Sequence, residues 1–185
     1  MFDLERIIHD KSIRVVASRQ AHRQAIDVQR DIYDSHRHRV FALAFYMTGS
    51  ELEAEHILTT TFVEAFRAAA EPQAPQIDAA LVEKLREYFP LGALATLPDL
   101  KSLASQSPDL SGRNVRRTEL EEAIQELPPT ERLLFLMRDV EGYSAASIAQ
   151  LLDMPEAKVQ RALFSARIRL RQALSAGRGD EQQAA

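Results

Sequence analysis

Residues 119–174 read ELEEAIQELPPTERLLFLMRDVEGYSAASIAQLLDMPEAKVQRALFSARIRLRQAL, and this stretch decides the fold. Apolar residues recur through it at helical spacing, while Pro128-Pro129, Gly142 and Pro155 interrupt it at intervals that suit short packed helices. Ser144 is placed to cap a helix whose apolar stripe is Ile148, Leu151 and Leu152. Asp153-Met154-Pro155 then makes a tight turn, with proline near the start of the next helix. Two helices joined in this way cross at about a right angle, which is the geometry of a helix-turn-helix.

The second helix of that pair, from Pro155 to Arg171, has two distinct faces. Val159, Ala162, Leu163, Ala166 and Leu170 recur at spacings of three and four and form the packing side. Lys158, Gln160, Arg161, Phe164, Ser165, Arg167 and Arg169 fall mostly off that stripe. A face rich in Arg, Lys and Gln suits a DNA major groove, where Arg pairs with guanine and Gln with adenine while other cations hold phosphates. The candidate DNA-contacting residues are therefore Lys158, Gln160, Arg161, Phe164, Ser165 and Arg167. Charge alone favours a plainer reading, a solvated amphipathic helix at the end of a bundle. The preceding helix, the proline turn and the bias toward cations together favour DNA.

Working outward, the rest of the chain also reads as helical. A first helix is expected around Asp3 to Ala17 and a longer one from about Ala25 to Met47, ending before Thr48-Gly49-Ser50. Ser50 can cap a third helix from about Glu51 to Ala70, with Leu52, Ile57, Leu58, Phe62, Ala65 and Phe66 as its apolar stripe and Pro72 and Pro75 beyond its end. A further helix spans roughly Ile77 to Phe89. The aromatic residues Phe41, Phe45, Tyr46, Phe62 and Phe66 fall at spacings that suit a helix-helix core rather than base stacking. The expected fold class is all-α, with a helical domain over residues 1–89, a linker over 90–117 rich in Pro, Ser, Gly and Asp, a helix-turn-helix domain over 118–174 and a frayed or disordered tail over 175–185.

Composition agrees with two small domains, since 185 residues at 45% hydrophobic content can fill two modest cores. The formal net charge of −4 argues against indiscriminate coating of nucleic acid. Yet every charged side chain from Ala157 to Arg178 is Lys or Arg, so positive potential is concentrated on one helix. The absence of cysteine excludes disulfides and thiol chemistry. The N-terminal residues lack the cation-then-apolar order of a secretory signal, and no apolar run approaches the roughly 20 residues of a membrane helix. A cytoplasmic location is expected.

Nothing in the sequence points to catalysis, a cofactor or a metal. Glu53 and His56 form one Glu-x-x-His of the kind used in helical di-iron sites, but a second copy is missing. His36 and His38 would point to different faces of a helix, and His9 and His22 have no neighbour at ligand spacing. No P-loop, nucleophile elbow or zinc-protease helix is present.

The residues Leu127-Pro128-Pro129, Arg132, Leu136, Val140-Glu141-Gly142-Tyr143-Ser144, Ile148-Ala149 and Ala166 to Arg171 resemble region 4 of bacterial extracytoplasmic-function sigma factors. Those proteins are subunits that direct RNA polymerase to promoters. The earlier segment Glu53 to Phe66, EAEHILTTTFVEAF, resembles the polymerase-binding helix of region 2 in the same family, and the two segments stand in the same order. The resemblance implies that the second domain reads the −35 element and cradles the polymerase flap tip, with the helix Thr130 to Val140 as part of that contact. It implies that the first domain docks on the clamp helices through Glu55, His56, Thr59 and Thr60. It implies RNA polymerase core and promoter DNA as partners, and admits an anti-sigma protein as another.

Region 2 departs from the family pattern. His56 stands where Asp is common, Thr59 where Gln is common and Phe66 where Trp is common. Downstream, the family carries a tryptophan-bearing helix and a basic run that capture unpaired bases of the −10 element, whereas this chain contains no Trp. Its segment from Ile77 to Phe89, IDAALVEKLREYF, balances acids against cations, so no single-strand pocket of cations and rings is evident. Two alternatives follow: a sigma-like regulator that binds DNA or polymerase without melting promoters, and a helical protein-interaction module in which the helix-turn-helix is only a scaffold.

Overall fold

The computed structural model describes residues 3–93 and 114–183, with side-chain surroundings for residues 20, 23–93 and 114–175. Every regular element among these residues is helical. The chain is built from α1 (Asp3–Thr48), α2 (Glu51–Ala68), α3 (Ala74–Tyr88), α4 (Arg117–Gln125), α5 (Pro129–Phe135), α6 (Ala145–Leu152) and α7 (Glu156–Gln183), with a π-helical segment, Leu136–Val140, following α5 directly. Most of the expected linker lies outside the described residues.

The two helices expected before Met47 are one helix of 46 residues. The intervening Ser18 to Gln24 lacks an apolar stripe but contains neither Pro nor Gly, and a helix can run on through polar residues of adequate propensity. It stops at Gly49, whose φ of 72° lies in the left-handed region where a glycine ends a helix without steric cost. Ser50 then caps α2, its hydroxyl accepting from the Glu53 N–H at 3.4 Å.

The helices α1, α2 and α3 pack as a hairpin bundle around Val40, Leu43, Met47, Ile57, Phe62, Ile77, Leu81 and Leu85. Phe62 is buried and meets the Tyr33 ring edge-on at 4.8 Å. Phe41, Phe45, Tyr46 and Phe66 pack against this core, as their spacing predicts. Leu52, expected on the apolar stripe, is instead 78% exposed. Ala54, Ile57, Thr61 and Ala65 define the buried side of α2, so Leu52 lies on the opposite one. α3 starts at Ala74, earlier than its apolar period suggests, because Pro75 is tolerated in the first turn and the Gln76 side chain accepts from the Gln73 N–H.

In the second half, Ser144 accepts from the Ser147 N–H at 2.9 Å and caps α6. Asp153, at φ 53°, ends that helix in the left-handed conformation that Asp tolerates better than most residues. The Pro155 carbonyl accepts from Lys158 and Val159 at the start of α7. The backbone stays helical through Gln183, where fraying was expected from residue 175. Ala, Arg and Gln supply helix propensity there, and neither Gly177 nor Gly179 is followed by a proline that would end the helix. Residues 184 and 185 lie outside the described residues.

The two halves share one continuous core instead of standing apart. α1 packs against α4, α5 and the π-helical segment, and α3 packs against α6.

Candidate nucleic-acid and polymerase interfaces

Helix α7 presents its expected packing face. Val159, Ala162, Leu163, Ala166 and Leu170 are all buried. Val159, Ala162, Leu163 and Leu170 share a core with Leu133, Leu134, Ile148 and Leu152 of the preceding helices, which fixes how α7 is rotated. Lys158, Gln160, Arg161, Phe164 and Arg167 are exposed, as a DNA-facing surface requires. Phe164 is unusual for a wet surface at 47% exposure, since it offers an apolar contact beside the cations.

Ser165 corrects one expectation, because it is only 1% exposed and belongs to the packing side. Its hydroxyl lies by Glu131, a fully buried carboxylate that faces Arg169 Nε at 3.2 Å. Burial pushes the Glu131 carboxyl up from its ordinary range, while Arg169 and Ser165 oppose the shift. Arg169 is thereby committed to the fold.

The exposed cations differ in their freedom. Arg167 is held by Asp139 of the π-helical segment, donating from Nε to Oδ2 at 2.9 Å and from Nη2 to Oδ1 at 2.6 Å. This paired fork fixes the guanidinium and holds its pKa above the usual value. Lys158 Nζ donates to the Gly92 carbonyl at 3.0 Å, and Gln160 donates to Glu156 within its own helix at 3.1 Å. Arg161 forms no ion pair or hydrogen bond among the described residues and is the cation most available to a base edge. Sequence periodicity places these residues outward but gives no sign of Asp139, whose pairing depends on the π-helical turn.

The proposed clamp surface is also on display. Glu55, His56 and Thr59 are exposed on α2 and Thr60 is half-buried, its hydroxyl donating to the His56 carbonyl at 2.8 Å. Leu52 and Val63 extend the same strip at its two ends, 78% and 54% exposed. Helix positions 52, 56, 59 and 63 share one face, so this is a polar strip with an aliphatic residue at each end.

The expected flap contact is mostly covered. Thr130, Glu131, Arg132, Leu133, Leu134, Leu136 and Met137 are buried, and only Arg138, Asp139 and Val140 of that segment are exposed. Among the described residues no group of three His, Cys, Asp or Glu side chains could hold a metal ion, and no helix is long and apolar enough to cross a membrane.

Comparison with known proteins agrees with this geometry. Residues 117–170 match the family model for sigma-70, region 4, which spans α4 through most of α7. No curated protein matches the chain. A solved structure of the sigma factor RpoE from Bartonella quintana, in complex with the anti-sigma factor NepR, shares the fold with a TM-score of 0.53 at 12% identity. The match covers 84% of this chain and 97% of that one. Residues 117–170 are therefore similar to sigma-70 region 4, and the likeness to the RpoE structure shows a shared helical fold.

Proposed function

We propose that this chain directs RNA polymerase to promoters, with the region 4 domain reading the −35 element and the first domain docking on the polymerase clamp helices. The observation that carries this reading is the outward face of α7. It sets Arg161 free, Arg167 held in a fork and Phe164 exposed, all on a helix anchored by a buried stripe. Lys158, Gln160 and Arg161 stand at the helix start, where recognition helices reach base edges. The catalytic chemistry belongs to the polymerase, and no residue here is assigned a catalytic role.

Clamp docking is supported by the exposed strip Leu52, Glu55, His56, Thr59 and Val63, which offers polar groups between two aliphatic contacts. The π-helical segment and α5 would meet the flap tip. An anti-sigma protein is a further proposed partner, since the RpoE of similar fold was crystallised with one. Binding of core polymerase to the parent and to a His56→Arg/Thr59→Arg variant tests the docking face. The two added cations must be desolvated or must displace the clamp helix, so affinity should fall at least tenfold, about 1.4 kcal/mol. Equal affinity would remove the strip from the interface.

A further inference from the structure

A cavity of about 710 Å³ lies where α1, the start of α3, the loop after the π-helical segment and α6 meet. That volume suits a small molecule, since ligand pockets run from about 300 to 1,000 Å³. Its floor is built from bonds already made. Arg39 Nη1 and the Tyr143 hydroxyl donate to the two oxygens of Asp78, and Arg39 Nη2 lies 3.5 Å from His36 Nδ1. The Arg39 guanidinium also sits 5.7 Å from the centre of the Tyr143 ring. These contacts hold four polar side chains in place without a ligand.

The charges of this floor nearly cancel. Arg39 offsets Asp78, and burial together with Arg39 lowers the His36 pKa, which keeps that ring neutral at about pH 7. Glu141 is different. Its side chain lines the cavity, close enough to Asp78 to push that carboxyl upward, yet it makes no hydrogen bond or ion pair among the described residues. Arg138 donates to the Tyr143 carbonyl and is not part of the lining. The Gln150 amide also lacks a partner among the described residues, and Pro75, Ala79 and Leu151 supply hydrocarbon. The cavity therefore carries one uncompensated negative charge beside an apolar wall.

We propose that this cavity binds a small organic cation, an alkylammonium or guanidinium compound, whose charge pairs with Glu141 and whose hydrocarbon lies on Pro75, Ala79 and Leu151. An anion would face Glu141, and the cation on the cavity floor, Arg39, is already committed to Asp78. A metal ion needs several free oxygen ligands, whereas both Asp78 oxygens accept from donors. The Gln150 amide oxygen can accept from an N–H of the same cation. Both domains contribute walls, and none of the residues assigned above to DNA or to the clamp takes part, so the site is independent of the polymerase reading.

The test is an amide NMR titration of the full chain with three probes of one size: n-butylammonium, n-butanol and n-butyrate. Butylammonium should give saturable shifts at Asp78, Glu141, Tyr143 and Gln150, butanol weaker ones and butyrate none. Glu141→Gln removes the charge and no described contact, and should weaken butylammonium binding about three- to fivefold, the effect of a part-exposed ion pair. Ala79→Phe, at an exposed position of the lining, should block binding by filling the cavity. Affinity should also rise from about pH 5 to about pH 7.5, because protons on Asp78 and His36 both add positive charge beside the ligand. Tighter binding of butyrate than of butylammonium, an unchanged affinity in Glu141→Gln or a falling affinity with pH would overturn the cation assignment. No saturable shifts with any probe, shifts at other residues or full binding by Ala79→Phe would overturn the site.

Discussion

The Tyr143 phenol reaches across the domain boundary to donate to Asp78 Oδ2 at 2.7 Å, while Arg39 donates to Oδ1 of the same carboxylate. One side chain of α3 thus joins a helix of its own domain to the loop that precedes the helix-turn-helix.

That carboxylate should make the closed fold sensitive to pH. Burial pushes Asp78 up from 3.8 to about 6; Arg39 opposes this by charge and hydrogen bond, and Glu141 adds to it. The folded chain binds this proton more tightly than the unfolded chain, so the contribution is full below about pH 4 and is lost as pH rises through about 6. Its size is at most about 3 kcal/mol. His36, lowered by burial and by Arg39, runs in the opposite sense, so the comparison must be with Asp78→Asn, which leaves His36 in place. The melting temperature of the parent minus that of D78N should be larger at pH 4.5 than at pH 7.5. A gap that widens as pH rises would mean that the Arg39 ion pair outweighs burial.

Leu163→Ala should destabilise the full chain by roughly 2–5 kcal/mol, because it removes methyl groups from the seam between α7 and the rest of the second domain. Thermal or denaturant unfolding measures this. An unchanged midpoint would place Leu163 outside the cooperative core.

The rotation of α7 was legible in sequence because five residues recur at helical spacing and all five are buried. Ser165 was not, since a small hydroxyl beside the stripe can lie on either side. What decides it is Glu131, 34 positions earlier, which no local period reveals. The unbroken α1 was missed because polar Ser18 to Gln24 looks like a connection, although nothing in it stops a helix. Closure of the two domains was also invisible: it joins residues far apart in sequence, through the shared core and through side chains such as Arg132 and Gln125 reaching carbonyls of Met47 and Tyr46 about 80 residues away. The pairing of Asp139 with Arg167 depends on a π-helical turn for which the sequence carries no local marker.

Asp139→Ala should free Arg167 and remove one negative charge beside the proposed DNA-facing surface. Non-specific DNA binding should strengthen, and the slope of log affinity against log salt should steepen by about one if the released guanidinium takes a phosphate. Adding Arg167→Ala should cancel the effect. A weaker, less sequence-selective complex for Asp139→Ala would instead show that the fork positions Arg167 for a base.

Arg161→Ala should weaken specific binding to a −35 duplex by about 1–3 kcal/mol and relax preference at one base pair. A loss spread evenly over all sequences would assign Arg161 to phosphate positioning, and no loss would remove it from the interface.

Transcription in vitro tests the central claim most directly. Core RNA polymerase is supplied with this chain and with duplex promoters recovered by selection for binding to the complex. The account predicts a promoter-dependent transcript that disappears when the chain is omitted and falls sharply with Arg161→Ala. Polymerase binding without any transcript would contradict it in favour of a regulator that does not open promoters, and failure to bind either polymerase or DNA would leave only a helical scaffold.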